Sequence, residues 1–202
     1  LRKVPINNTT AGRLDTSVDD SATFFSSIAA RARALHLQGD WEQAEKLYRG
    51  IVAVRSRTLG KMNPDTLVVE LYLSSVLIDA CCLQDADELL NRVVEGLLFA
   101  HGPDNIMVHE ARHQLARLRL AQGRIGIAAR TLDELASCIE ETDEGDSDNV
   151  LFLAVQTDRA VAFAAEGHYT SASNIHNDVL PLRKRLLGYK HPETLRSRFY
   201  LA

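Results

Sequence analysis

Long apolar runs are missing from this sequence, and so is an excess of charge of either sign. No stretch approaches the roughly 20 apolar residues that a membrane-spanning helix needs, so no membrane insertion is expected. Lys and Arg number 23 against 27 Asp and Glu, a net charge of −4. That balance lacks the basic footprint of a nucleic-acid binder, and no nucleic-acid partner is expected. Cysteine is scarce. Cys81, Cys82 and Cys138 are an odd number, two of them adjacent, which makes a poor disulfide framework. Reduced thiols in a cytoplasmic protein are the simpler reading. Cys81 and Cys82 fall in an apolar run near a helix end and are expected to be buried and inert. Asn7 and Asn8 each begin an N-x-Thr sequon, but no secretory signal precedes them. Neither a phosphate-cradling P-loop nor a GxSxG elbow occurs. No cofactor is expected, and no enzyme.

What the chain does have is a period. Gly39-Asp40-Trp41-Glu42-Gln43-Ala44 aligns with Gly123-Arg124-Ile125-Gly126-Ile127-Ala128 and with Gly167-His168-Tyr169-Thr170-Ser171-Ala172. A degenerate copy runs from Cys81 to Ala86. The alanines Ala44, Ala86, Ala128 and Ala172 are spaced by 42, 42 and 44 residues. A second motif keeps the same phase: Leu59-Gly60-Lys61-Met62-Asn63-Pro64-Asp65-Thr66-Leu67 returns 128 residues later as Leu187-Gly188-Tyr189-Lys190-His191-Pro192-Glu193-Thr194-Leu195. A fixed period of this length is the mark of a repeat array.

Each period reads as two helices. In the first, helix A is predicted over about Ser21 to Gln38 and helix B over about Trp41 to Thr58. Asp40 is the expected N-cap of helix B, with Gln43 completing a capping box. Trp41, Ala44, Leu47, Tyr48, Ile51 and Val52 are predicted to share its packed face. Asn63 and Pro64 then suit the cap and first turn of the next A helix. A small residue recurs within helix A at Ala32, Ser74, Ala116 and Ala160, where two helix axes must come close. One hairpin cannot bury its apolar face, whereas stacked hairpins can. The expected class is therefore all-α, an α-solenoid of helix-turn-helix repeats. Residues 1–20 read as a polar linker or arm. Repeats are expected at about 21–62, 63–104, 105–148 and 149–190, with a partial fifth helix at 191–202 that leaves an open end for a further repeat or a partner.

These residues resemble the tetratricopeptide repeat, in the 42-residue variety of kinesin light chains and of the repeat arrays attached to signalling NTPases of the NB-ARC type. The resemblance covers roughly Ser21 to Ala202. It implies a right-handed superhelix whose A helices line a concave groove for a peptide or partner protein. In that phase the groove residues are Arg33 and His36, then Tyr72, Ser75 and Asp79, then His113, Gln114 and Arg117, then Asp158. Co-chaperone members of the family clamp a C-terminal carboxylate with Lys and Asn. The matching columns here hold Ala29 and Arg33, Leu71 and Ser75, and His113 and Arg117, so that clamp is not expected.

The leading expectation is a protein-interaction scaffold. Beside it stand a sensor segment of a larger signalling NTPase and an oligomerisation module that self-associates through the open C-terminal helix. A remote alternative comes from His109-Glu110-Ala111-Arg112-His113, which matches the HExxH pattern of zinc hydrolases. That segment falls in phase as helix A of the third repeat, with no third ligand at the usual spacing and Asp133 or Glu134 only distant substitutes. No metal site and no catalytic residue are therefore assigned. The acidic loop Glu140 to Asn149 lacks the ligand order of an EF-hand and reads as solvated.

Overall fold

The computed structural model describes residues 16–142 and 150–201. Nine helices and no strand occur among them. They are α1 (Thr16–Leu37), α2 (Trp41–Thr58), α3 (Pro64–Asp79), α4 (Leu83–His101), α5 (Ile106–Ala121), α6 (Ile125–Thr142), α7 (Val150–Ala165), α8 (Tyr169–Leu186) and α9 (Pro192–Tyr200). Odd-numbered helices are the A helices and even-numbered ones the B helices. The two sequons, the first fifteen residues of the arm and the acidic loop beyond Thr142 lie outside the described residues.

The caps follow the sequence. Asp40 accepts from the Gln43 N–H at 3.2 Å, and the Gln43 side-chain amide returns to Asp40. Asn63 accepts from the Asp65 N–H at 2.9 Å and stands before Pro64. His191 caps Pro192 in the same way, its Nδ1 accepting from the Glu193 N–H at 3.3 Å. Helix α1 opens at Thr16, five residues before the expected Ser21. Trp41, assigned to the packed face of α2, is 42% exposed, while Ala44, Tyr48 and Ile51 are buried.

Each helix packs on the next in sequence, and α3 also touches α5 and α5 touches α7. A helices that meet across an intervening B helix occupy the inner side of the curve, so the molecule is an all-α solenoid. The small columns make that approach possible: Ala32, Ser74, Ala116 and Ala160 have no exposed surface, nor do Ala44, Ala86 and Ala128. Ser74 keeps its hydroxyl satisfied by donating to the Leu71 carbonyl at 2.6 Å.

All four hairpins turn by the same device. The N–H of Asp40, Cys82, Arg124 and His168 donates to the carbonyl of Leu35, Leu77, Arg119 and Phe163 at 2.8–3.0 Å. The residue just before each donor is Gly39, Cys81, Gly123 or Gly167, and it takes a positive φ, of 81°, 61°, 75° or 85°. This is the Schellman C-cap, which wants glycine at the left-handed residue. Cys81 alone carries a side chain there, at a cost of about 1–2 kcal/mol. Cys81→Gly is thus expected to raise stability by about 1 kcal/mol, after its extra unfolded-state entropy is subtracted, and a higher urea midpoint is the measurement. The same geometry corrects the sequence reading of both thiols. Cys81 and Cys82 are exposed, because the left-handed residue and its successor project from the turn rather than into the stack.

Candidate functional site: the inner face of the A helices

The A helices are joined along their inner face by a ladder of charged side chains. His36 on α1 meets Asp79 on α3, Nε2 to Oδ2 at 2.7 Å. Arg117 on α5 donates from Nη2 to the other oxygen of Asp79 at 2.8 Å, and its Nε lies 4.0 Å from Asp158 on α7. Asp158 also meets His113 Nε2 at 2.8 Å and accepts from Arg196 Nη2 on α9 at 3.2 Å. Gln114 accepts from Arg117 Nη1 at 2.9 Å, which steadies the guanidinium. Five A helices are bound in series, with the carboxylates of α3 and α7 set between the His and Arg groups of α1, α5 and α9.

Six of the nine groove residues read from the sequence belong to this ladder: His36, Asp79, His113, Gln114, Arg117 and Asp158. His113 and Asp158 are buried, at 6% and 3% exposure. The other three lie beside it. Arg33 is exposed. Tyr72 is 39% exposed, with its ring 6.2 Å from that of buried Tyr48. Ser75 is half-buried and donates to the Tyr72 carbonyl at 2.8 Å. Burial raises the pKa of both tyrosines, and the charge on Arg33 works against that rise. Arg33, Tyr72 and Glu110 thus form a second, more accessible row on α1, α3 and α5.

The carboxylates respond to their surroundings in different directions. Burial pushes the pKa of Asp158 up, but its bond to His113 and the charges of His113, Arg117 and Arg196 outweigh burial and hold it below the ordinary value. Asp79 is lowered likewise, burial being opposed by His36 and Arg117. On the outer side, hydrogen bonds from Arg119 and Gln122 lower Asp87. Glu110 goes the other way, raised by burial against the pull of His113 and Arg33. A lowered carboxylate stabilises the fold above its unfolded pKa of about 4 and loses that stabilisation as pH falls through its folded value. Asp79, Asp87 and Asp158 shift this way, and Glu110 alone among the described carboxylates shifts the other way. Stability is therefore expected to fall as pH drops below about 4, and less steeply in Asp158→Asn than in the parent; urea midpoints across that range are the check.

The HExxH segment lies on α5. His109 is buried, Glu110 is half-buried and His113 is bound to Asp158. Asp133, a distant substitute ligand, is bound to Arg159 at 2.7 Å. Among the described residues no three His, Cys, Asp or Glu side chains are grouped to hold a metal ion. No described helix is long and apolar enough to cross a membrane.

Sequence reasoning missed several residues that act here. Arg196 terminates the ladder. Arg183 is 2% exposed and donates to the Glu193 carbonyl at 2.8 Å and to Ser197 Oγ at 2.9 Å, with its other terminal nitrogen 3.1 Å from the Glu193 carboxylate. Arg55 makes the equivalent bond to the Asp65 carbonyl, also at 2.8 Å. Donors and acceptors are both 128 residues apart, so the offset that revealed the repeat also contained this brace. His176 stands in the column of Tyr48, Leu90 and Leu132 and stacks on Tyr200 with ring centres 4.8 Å apart. Burial and the nearby Arg183 and Arg196 lower its pKa.

The comparisons with known proteins agree with this architecture. A tetratricopeptide repeat family model matches residues 26–65 and 153–193. Two crystal structures of nearly identical TPR-like repeats, from a kinesin light chain of Podosopora anserina, are each 25% identical to the chain with a TM-score of 0.66. The overlap covers 88% of this chain in both cases, and 82% of one of those chains and 83% of the other. BtubC (BKLC) from P. vanneervenii shares the fold at 14% identity and a TM-score of 0.64, over 83% of this chain and 66% of that one. No curated protein sequence matches significantly.

Proposed function

Since the chain is built from tetratricopeptide repeats of the kinesin-light-chain-like variety, a class that generally mediates protein–protein interaction without catalysis, we propose that it is a scaffold binding a peptide or partner protein along the inner face of its A helices. The observation that carries this reading is the pairing of a fixed ladder with an accessible row. His36, Asp79, Arg117, Asp158 and Arg196 satisfy one another across five helices and so hold the face in shape. Arg33 and Tyr72 remain open beside them. A face organised before binding loses less entropy on association, and Tyr and Arg are both among the residues enriched at interaction hot spots. Ser75 and Gln114 supply hydrogen-bonding capacity along the same surface. The cytoplasm is the setting proposed for this role, where exposed thiols rest reduced and form disulfides only transiently. Neither a nucleic acid nor an inserted membrane segment is among the partners proposed.

Position-specific photo-cross-linking tests it. A photoreactive residue at Tyr72 should capture a partner protein from cell extract, whereas one at the 95%-exposed Phe99 on α4 should not. Arg33→Glu should abolish the capture while leaving the melting curve unchanged. Capture from position 99 alone would move the binding face away from the A helices.

One observation favours a second reading. Helix α9 exposes Leu195, Phe199 and Tyr200 at 46%, 78% and 42%, an apolar surface suited to pairing between copies. Light scattering over a dilution series, repeated with Phe199→Ser, distinguishes the two.

A further inference from the structure

The second hairpin breaks the rule that the other three keep. Its left-handed turn residue is Cys81, and the residue after it, the N-cap of α4, is Cys82. Both thiols are exposed, so neither side chain is held in place by core packing. Their backbone N–H groups complete the cap of α3, Cys81 to the Ile78 carbonyl at 3.0 Å and Cys82 to the Leu77 carbonyl at 2.8 Å. Two residues upstream is Asp79, which binds both His36 and Arg117. An exposed pair of adjacent thiols is therefore built into the turn next to Asp79 of the inner-face ladder.

We propose that Cys81 and Cys82 form a thiol–disulfide exchange site that accepts a low-molecular-weight disulfide of the glutathione type and closes an intramolecular disulfide at this turn. One cysteine thiolate attacks the S–S bond of the small disulfide, forming a mixed disulfide and releasing one small thiolate. The neighbouring thiolate then attacks the protein sulfur of that mixed disulfide and expels the second. The two protein protons leave on the two small thiols. The protein dithiol gives up two electrons, and the small disulfide takes them.

Adjacent residues hold their Cα atoms about 3.8 Å apart across a trans peptide, less than the roughly 4.4–6.8 Å that a disulfide prefers. The closed ring is accordingly strained and easily reduced, a property of regulatory rather than structural disulfides. Closure also draws two Cβ atoms together across a backbone whose N–H groups are committed to the α3 cap. Oxidation competes with that cap and loosens the last turn of α3, where Asp79 is fixed.

The experiment incubates the whole chain with oxidised glutathione, quenches by alkylation and maps peptides by mass spectrometry. The expected product is a monomer whose peptide containing both cysteines has lost two hydrogens, carries no glutathione and resists alkylation. Cys81→Gly and Cys82→Ser should each stop at the mixed disulfide on the remaining cysteine of the pair. Glutathione retained on that peptide of the parent chain, a disulfide from it to a second copy, or a Cys81 and Cys82 that both still alkylate would each overturn the exchange site. The urea midpoint of the oxidised chain should be lower than that of the reduced chain and should recover with dithiothreitol. An unchanged midpoint would overturn the link to the α3 cap.

Discussion

Asp158→Ala is expected to destabilise the protein by about 3–5 kcal/mol, the range for removing one partner from a buried ion pair. The Asp158 side chain is 5% exposed and is the only acceptor placed between His113, Arg117 and Arg196 among the described ladder residues. Its loss leaves the 7%-exposed His113 ring without that acceptor and removes the anion that Arg117 and Arg196 share. Asp133→Ala is the control. Asp133 also binds an arginine at 2.7 Å, but it is 52% exposed, and water takes over its role; the change should be about 1 kcal/mol or less. Urea unfolding of the two variants side by side measures the contrast. Equal midpoints would mean that the inner-face ladder contributes no more than a surface pair.

Arg183→Ala is expected to cost about as much, roughly 3–5 kcal/mol, while Arg55→Ala at the corresponding position should cost about 0.5–1.5 kcal/mol, the value of one ordinary hydrogen bond. The two arginines make the same bond to the same carbonyl of their repeat, at the same 2.8 Å. Burial separates them. Arg183 is 2% exposed and additionally serves Ser197 Oγ, so truncation strands buried groups around a cavity. Arg55 is half-exposed, and water replaces it. Burial lowers the Arg183 pKa against the opposing charge of Glu193, but an arginine remains cationic at any working pH. A similar loss at both sites would show that the bond itself, and not the surroundings, sets the cost. The result would also qualify any test of the groove by charge reversal. Arg117 is held between Asp79 and Asp158, so replacing it with Glu would damage the stack, and Arg33 is the cleaner probe.

The fold was legible because its determinants are local and repeated. The Gly-x-apolar-x-x-Ala motif writes a C-cap and a close helix contact into six residues, and the Asn63-Pro64 and His191-Pro192 pairs mark where A helices begin. The repeat phase also puts the nine groove candidates on A helices, which is where the structure has them. It did not distinguish residues that face solvent from residues that face each other. Whether Asp158 is open to a partner depends on Arg117, 41 positions earlier, and Arg196, 38 positions later, and such pairings come from superhelical stagger rather than from any one repeat. Cys81 was read as apolar because its neighbours are, whereas the turn it occupies turns its side chain outward.

The ladder has a mechanical consequence. A curved rod that is straightened stretches on its inner side and compresses on its outer side. Here the inner side carries the side-chain links from His36 to Arg196, and straightening must stretch each of them. Tightening the curve strains none of them in tension. The array should therefore behave as a one-way spring, stiff against uncoiling and more compliant toward closing.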